Sequence, residues 1–440
     1  MPVHFPRLTL VVAACALSAA VAARAEAPAA APPPPPDPGA TQETVLGIAD
    51  LVQAALRYNP ALRAALRSRE AAAGAVDAAA AYANPRLEAL SGSNRARLPG
   101  VTGGAVTGWG VSQLIENPAV REARIAGARH GQTGTDWQAG ITANELVAQV
   151  RLKAFEYLLR REEAAAAADA AALLEEIRSR VQVRVDSGEA PRYEAIKAAA
   201  EVANARQQQA AARLRVEQAG LALERLAAGR LPPRWRLAAT LGDAADLPPL
   251  ATLQREALEH NPELQFLRSE VRRREARLDE SRASRLPGVE LRYGQVRDPE
   301  VRQAVLTATV QVPLFDRRSG PIAEAGAELE RSRTLLDGRQ VELDRQLQSA
   351  AQALEVARLR ADALATGALP GAEAALRVAQ AAYRFGERGI LDVLDAQRLL
   401  RSIRADLIDA RFQVQAAAIE LEQLAGRYAV PESTLSRPIP

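Results

Sequence analysis

The chain has 440 residues, of which 48% are hydrophobic but only 4% aromatic, so its apolar content is mostly Ala, Leu and Val. This composition favours long helices rather than a compact core built on large rings. The formal net charge is +3 at pH 7. So small a charge gives no argument for a nucleic-acid partner, and we predict none.

Residues 1–25 have the pattern of a secretory signal peptide, because Arg7 precedes an apolar run that extends to Ala23. The only cysteine, Cys15, lies within this segment. The letters "VAAC" also fit a lipobox, which would make Cys15 a lipidated N-terminus. Since the apolar run continues past the cysteine, we favour ordinary cleavage near Ala25. The mature chain would then form neither a disulfide nor a thiolate metal site.

Residues 26–44 are rich in Pro and Ala, and we interpret them as a disordered or polyproline tether. No later stretch approaches the roughly 20 apolar residues that a membrane-spanning helix requires. A place in a membrane would therefore require a β-barrel or a lipid anchor.

Two motifs occur twice at nearly the same separation, which predicts a tandem duplication. The first is "LVQAALRYNPAL" at 51–62, repeated as "LQREALEHNPEL" at 253–264. The second is "DSGEAPRYEAI" at 186–196, repeated as "RFGERGILDVL" at 384–394. We predict the following segments: a first repeat at 45–228, a linker at 229–250, a second repeat at 251–428 and a C-terminal tail at 429–440.

Each predicted repeat has one order of elements: a short helix that ends at Asn-Pro, a second helix, two strands and a long helical hairpin. Proline disfavours the helical conformation for the residue before it. Alternation of apolar and polar residues marks the strands and is clearest in "VLTATVQVPLF". The predicted strands are at about 86–97, 103–116, 288–297 and 301–315. The predicted hairpins are at about 119–228 and 320–427.

The last predicted helix has an apolar seam in three–four alternation, which is typical of coiled-coil packing. The seam residues are Val393, Ala396, Leu400, Ile403, Leu407, Ala410, Val414, Ala417, Leu421 and Leu424. The first repeat has the same rhythm from Ala195 to Leu226. Four strands are too few to close a membrane barrel, whose minimum is about eight. Several chains would have to pool their strands, and the long helices beneath them would then form a tube.

With these features the chain resembles the TolC-like outer-membrane efflux proteins, the exit ducts of tripartite pumps and type I secretion systems. The resemblance rests on the Asn-Pro starts, the strand pairs, the long hairpins, the duplication and the Gly-Glu turns, and it covers essentially the whole mature chain. It implies a mainly α fold with a small membrane β-barrel part, in which three chains build a twelve-stranded barrel on an α-helical tunnel. It further implies a homotrimer in the outer membrane with a periplasmic tunnel, a periplasmic adaptor and an inner-membrane RND pump as partners, and no cofactor.

Two stretches, "SQLIE" at 112–116 and "SGEAPRYEAIKAAAE" at 187–201, are most similar to the cation-efflux, CzcC-like branch of that family. The branch usually has a Gly-Gly-Lys-Arg type turn after the glutamate, where this chain has "NPAVR". The implied function is a passive export duct for heavy-metal cations. A drug-efflux or type I secretion duct is the alternative within the family. A periplasmic adaptor or a structural coiled-coil protein is the alternative from another class.

In the resembling family an aspartate ring, together with tyrosine and arginine links between helices, narrows the periplasmic end of the tunnel. The corresponding motif here runs from Tyr383 through "LDVLD" at 391–395. The resemblance implies these gate residues: Tyr383, Arg388, Asp392 and Asp395. It implies that an adaptor contacts the two turns at these residues: Gly188, Glu189, Gly386 and Glu387.

From the residues alone, Asp392 and Asp395 fit a solvated polar stripe beside the apolar seam. Acidic residues in a first turn also interact favourably with the helix dipole. In a symmetric trimer the same stripe can instead face a lumen, where three copies of each aspartate would favour cations. Arg388 precedes Asp392 by one helical turn and can pair with it. Glu194 and Lys197 hold the equivalent places in the first repeat.

The sequence has no nucleophile with a nearby base, no phosphate-binding glycine loop and no paired acids typical of a globular active site. We therefore predict that the chain is not an enzyme. His130 and His260 are isolated on predicted helices, and we predict no metal site. Trp109, Tyr293 and Phe315 fit either an aromatic girdle or ordinary packing.

Overall fold

The computed structural model describes residues 44–97, 99–242 and 247–429. The predicted signal peptide with Cys15, nearly all of the predicted tether and almost all of the predicted tail lie outside these ranges. Within them, no helix combines the length and the apolar character needed to cross a bilayer.

The described elements occur in nearly the same order twice. The first series is β1 (Thr44–Leu46), α1 (Ile48–Tyr58), α2 (Pro60–Ala80), β2 (Arg86–Asn94), β3 (Gly104–Ile115), α3 (Pro118–Asp186) and α4 (Arg192–Leu226). The second series is β4 (Trp235–Leu237), α5 (Leu250–His260), α6 (Pro262–Ala283), β5 (Val289–Arg297), β6 (Arg302–Val310), α7 (Ser319–Ala363), α8 (Leu369–Arg384) and α9 (Ile390–Leu424). A π-helical turn, Leu364–Ala368, joins α7 to α8. The 69 residues of α3 make it about 100 Å long at about 1.5 Å per residue.

The two Asn-Pro pairs of the repeated motif do more than end a helix. Asn59 and Asn261 each accept hydrogen bonds from the first backbone N–H groups of the following helix, α2 or α6. Their side-chain amides also donate to the end of the hairpin, at 3.1 Å to the carbonyl of Leu226 and 2.9 Å to that of Leu424. Each asparagine therefore supplies partners to the otherwise unpaired ends of two helices, which explains why the pair recurs.

A third Asn-Pro pair makes the same arrangement at the start of α3. The Asn117 side chain accepts from the N–H of Ala119 at 3.0 Å. Its amide donates to the carbonyls of Ala283 and Leu286, at the end of α6, at 3.0 Å each. The second series has no such residue, and α7 begins after Arg318, which has a φ of +60°.

The end of α9 packs tightly on the second Asn-Pro pair. Gly426 has a φ of +76°, and Arg427 donates its N–H to the carbonyl of Glu422 at 3.0 Å, which closes the helix end. A Cβ atom at Gly426 would lie 2.9 Å from the Cα of Asn261 and 2.9 Å from the carbonyl oxygen of His260. Only glycine fits both the conformation and the space.

The four larger strands form one antiparallel sheet in the order β2-β3-β5-β6, so β2 and β6 are its edges. We predicted that the last strand extends to about residue 315, but it ends at Val310. Pro313 lacks the N–H that a strand needs to continue its ladder. The side chain of Phe315, beyond the strand, is fully exposed at 100%, so packing within the chain does not explain it.

Two short strands fall where the sequence predicted none. β1 and β4 pair in parallel, with Val45 opposite Arg236. Thr44 of the predicted tether therefore belongs to a strand, and β4 lies inside the predicted linker 229–250. Three-residue strands are too short to show an alternating pattern, which is why the sequence does not indicate them.

The π-turn interrupts the first helix of the second predicted hairpin, at about 320–427. Leu369 donates its N–H to the carbonyl of Leu364, five residues back. Pro370 follows directly and has no N–H to donate to the helix. A single proline in a strongly helical segment is absorbed as a π-turn rather than a break.

All ten predicted seam residues of α9 are buried or half-buried. Near the two hairpin turns, one cluster joins buried residues of four helices, including Leu174 and Val181 of α3, Val202 of α4, Leu376 of α8 and Val393 of α9. The two hairpins thus share a core at their ends.

Candidate functional site: the exposed sheet and the hairpin tips

One face of the four-stranded sheet is apolar and exposed; we call it the apolar face. Register pairing aligns its side chains in rows, for example Leu87, Val111, Tyr293 and Leu306 across all four strands. Their exposed fractions run from 37% for Tyr293 to 79% for Leu87. Trp109 packs edge-on against Tyr293, with ring centroids 5.8 Å apart. Exposed apolar surface of this extent marks contact with a membrane or another protein.

The opposite face of the sheet, the charged face, has a different character. Its alternating positions hold Arg86, Glu88, Glu290, Arg292, Thr307 and Thr309, interspersed with Leu90, Leu114 and Val305. Arg292 and Glu88 form an ion pair across the strands. The sheet therefore separates an apolar side from a side that suits water and ions.

The two predicted hairpin tips have the same backbone structure. Gly188 and Gly386 have φ values of +81° and +77°. The next residue donates its N–H five positions back at each tip, from Glu189 to Arg184 at 2.8 Å and from Glu387 to Ala382 at 3.0 Å. Apart from the adjacent residues, no atom of the described chain lies within 4 Å of a Cβ built on either glycine. Glycine is thus required at both tips by the left-handed conformation and not by crowding.

Asp392 stands in the first turn of α9. Its side chain is 45% exposed, and its Oδ2 lies 3.6 Å from the Nη1 of Arg388, which is 65% exposed. So long and exposed an ion pair contributes little to stability. Both groups remain accessible from solvent in the single chain.

Asp395 lies one turn further along α9 and is 68% exposed. Arg398 donates to it at 3.1 Å and also donates to Glu201 of α4. The hydrogen bond from Arg398 to Glu201 raises the pKa of the arginine above its ordinary value. Arg398 therefore joins one predicted gate aspartate to the other hairpin.

Tyr383 is 7% exposed and joins three helices. Its hydroxyl donates to Glu194 of α4 at 3.3 Å, and its carbonyl accepts from Arg184 of α3 at 3.1 Å. The Arg184 guanidinium also lies over the tyrosine ring, 4.8 Å from its centroid. Burial, followed by the charge of Glu194, raises the pKa of Tyr383. The phenol therefore stays protonated, and able to donate, above the pH at which an ordinary tyrosine ionises.

No three His, Cys, Asp or Glu side chains in the described parts of the chain meet in a way that could hold a metal ion. His260 lies at the end of α5, with its Nδ1 3.9 Å from a carboxylate oxygen of Glu259, and both side chains are largely exposed.

Two stretches of the chain, residues 51–229 and 253–427, match the model of the family described as outer membrane efflux protein. The chain belongs to this family. The matched stretches overlap the two predicted repeats closely. Members of the family are outer-membrane transport channels, so the prediction of a TolC-like efflux channel rather than an enzyme is confirmed.

A curated relative of this outer membrane efflux protein is the cobalt-zinc-cadmium resistance protein CzcC of Cupriavidus metallidurans. The two are 29% identical over 372 residues, which cover 83% of this chain and 86% of the relative. The solved structure of CusC has a TM-score of 0.76 at 18% identity and covers 86% of this chain and 91% of its own. The outer membrane channel CmeC of Campylobacter jejuni has a TM-score of 0.73 at 15% identity, with 89% and 87% covered. The predicted mainly helical fold with few strands is confirmed by these likenesses.

Sequence reasoning missed several contacts of the predicted gate residues in this efflux protein. The contact of Arg398 with Asp395 could have been found from their i,i+3 spacing on one helix. The contacts of Arg184 and Glu201 could not, because they connect helices about two hundred residues apart in sequence. Glu194 was noted only as the equivalent of Asp392, and not as the partner of Tyr383.

Proposed function

We propose that this protein is the trimeric exit duct of a tripartite RND-type efflux system that exports heavy-metal cations. The observation that carries the proposal is the exposed apolar face of a four-stranded sheet that continues into a helix about 100 Å long, α3. Neither part is explained by a chain that acts alone in water. A lipid-facing barrel on a long tunnel explains both.

The proposed barrel follows from the number of strands in each chain and from the two unpaired edges of the sheet. β2 and β6 are edges of the sheet, and an edge exposes a row of unpaired backbone groups. In three copies, β2 of one chain pairs with β6 of the next and closes twelve strands into a ring. The apolar face then contacts lipid, and the charged face lines the water-filled interior. A closed three-fold ring also leaves no edge unpaired.

The proposed gate lies at the hairpin tips. Asp392 and Asp395 face the tunnel axis, where three copies of each favour cations. Tyr383 holds the two hairpins together through Glu194 and, with Arg388, supplies the links between neighbouring tip helices that narrow the tunnel. The exposed turns at Gly188–Glu189 and Gly386–Glu387 are the surfaces that a periplasmic adaptor contacts, and that adaptor joins the duct to an inner-membrane RND pump. The duct itself supplies no energy.

The substrate class rests on the likeness to CzcC. CzcC is named a cobalt-zinc-cadmium resistance protein, and the two chains align over most of their lengths. The lumen needs no fixed metal site for this role, because a conduit passes ions without holding them. Residues 1–25 are the signal peptide that directs export, with cleavage near Ala25 in preference to lipidation of Cys15.

The proposal is tested in two steps. First, the full chain, expressed with its N-terminal segment, should be recovered from the outer-membrane fraction. After extraction in detergent, light scattering should give the mass of a trimer. Recovery as a soluble periplasmic monomer would overturn it. Second, a strain that lacks the gene should become more sensitive to zinc, cobalt or cadmium. Increased sensitivity to drugs alone, or failed export of a protein, would instead identify the alternative ducts of the same family.

A further inference from the structure

The end of the sheet farthest from the helices has exposed arginines on the apolar face. Arg297 ends β5 and Arg302 begins β6, and the two are register partners. By strand alternation they share the face of Tyr293 and Leu306, four residues away on each strand. Both arginine side chains are exposed. They form the last row of the apolar face on β5 and β6.

The acidic side chains at this end of the sheet are already engaged by backbone. Asp298 accepts from the N–H groups of Glu300 at 2.9 Å and Val301 at 2.6 Å. The Glu300 carboxylate accepts from the N–H of Thr102. Within the described ranges, neither Arg297 nor Arg302 has a carboxylate partner. The local acids stabilise the loops, and the two guanidinium groups are left with their hydrogen-bond donors available.

The position of the arginine row matches the edge of a lipid layer. Eight residues separate Val289, in the first row of the apolar face, from Arg297. At about 3.4 Å per residue this is about 27 Å along the strand, or about 21 Å of height for a tilt of about 40°. The lipid-facing band of such barrels is about 25 Å tall. The arginines therefore reach the boundary at which lipid headgroups begin, where a long charged side chain can extend outward.

We propose that Arg297 and Arg302 bind the phosphate groups of an anionic lipid headgroup in the membrane leaflet away from the helices. The planar guanidinium donates two parallel hydrogen bonds to a phosphate, and a register pair presents two such groups side by side. Three copies place three pairs around the rim. The inference rests on the proposed function, because it requires the apolar face to contact lipid.

The binding is measured on the detergent-solubilised trimer by native mass spectrometry with added diphosphoryl lipid A, phosphatidylcholine or sodium phosphate. The wild-type trimer should retain lipid A in preference to phosphatidylcholine, and added salt should weaken the retention. The double variant R297Q/R302Q should bind lipid A about thirtyfold more weakly, because it removes two basic side chains that attract anionic headgroups at the membrane surface. R297K/R302K, which keeps the charge, should recover part of the affinity.

A matched control is R213Q/R215Q, which removes the same charge from exposed positions on α4, far along the chain from the sheet. Equal lipid A affinity for R297Q/R302Q and wild type, or an equal loss in the control, would overturn the inference. Displacement of lipid A by millimolar sodium phosphate, but not by sodium chloride at the same ionic strength, would show a free-anion site instead and would also overturn it. If the trimer forms conducting channels but R297Q/R302Q binds lipid A as wild type does, the lipid inference fails and the proposed function stands. If no membrane trimer forms, the proposed function and the lipid inference both fail.

Discussion

The two hairpin tips share a backbone but differ in how their acidic side chains are used. Gly188 and Gly386 adopt the same left-handed conformation with the same hydrogen bonds. In the first tip, Glu194 accepts a hydrogen bond from buried Tyr383 of the other hairpin. In the second tip, the equivalent Asp392 pairs with the exposed Arg388 of its own turn. The two tips thus have the same backbone turn, but the acidic side chains on them make different contacts.

This difference indicates a division of roles between the repeats. The first tip supplies acceptors that hold the hairpins together, namely Glu194 for Tyr383 and Glu201 for Arg398. The second tip keeps its carboxylates largely accessible, with Asp395 68% exposed. The first tip therefore supplies contacts that stabilise the hairpins, while the second tip keeps carboxylates that solvent can reach.

The largest effect should come from removing the accessible acids. D392A/D395A should raise single-channel conductance in planar bilayers several-fold, because the aspartate ring no longer narrows the tunnel. It should also weaken block by polyvalent cations, because the charges that attract them to the constriction are gone. The matched control is Lys197→Ala, which changes a charge at the position equivalent to Asp395 in the first tip and should leave the block nearly unchanged. Unaltered conductance and block in the double variant would make the two aspartates plain surface charges.

The shared backbone predicts a second, smaller effect that is equal in the two tips. Gly188→Ala and Gly386→Ala should each destabilise the trimer by about 1–2 kcal/mol, the cost of placing an L residue in the left-handed region. Gly426→Ala should cost more, because its Cβ would also lie 2.9 Å from the backbone of Asn261. Thermal unfolding of the detergent-solubilised trimer measures all three. A marked difference between the two tip variants would show that they are not structurally equivalent in the trimer.

Sequence alone predicted the periodic and repeated parts of this fold. The seam of α9, the Gly-Glu turns and the four strands are readable because helices and strands impose fixed spacings and left-handed turns select glycine. The π-turn before Pro370 and the short strands β1 and β4 were missed, since neither changes the hydrophobic pattern. At the tips, the candidate residues come from the family resemblance. The bonds from Tyr383 to Glu194 and from Arg398 to Glu201 were not predictable, because they depend on how two hairpins distant in sequence pack together.

The smallest predicted effect tests the bond that distinguishes the tips. Tyr383→Phe removes the hydroxyl that donates to Glu194 at 3.3 Å and should cost about 1 kcal/mol, typical of one hydrogen bond. Burial raises the pKa of Tyr383 in the folded chain, so its contribution is fully present below the ordinary tyrosine pKa of about 10 and is lost as pH rises through the higher folded value. Wild-type trimer should therefore lose thermal stability relative to Tyr383→Phe only above about pH 10. Tyr193→Phe, which alters an exposed tyrosine of the first tip, is the control and should not change this alkaline slope. Equal thermal stability of wild type and Tyr383→Phe near neutral pH would mean that the bond does not hold the hairpins together, and an identical alkaline slope would mean that Tyr383 is not buried in the trimer.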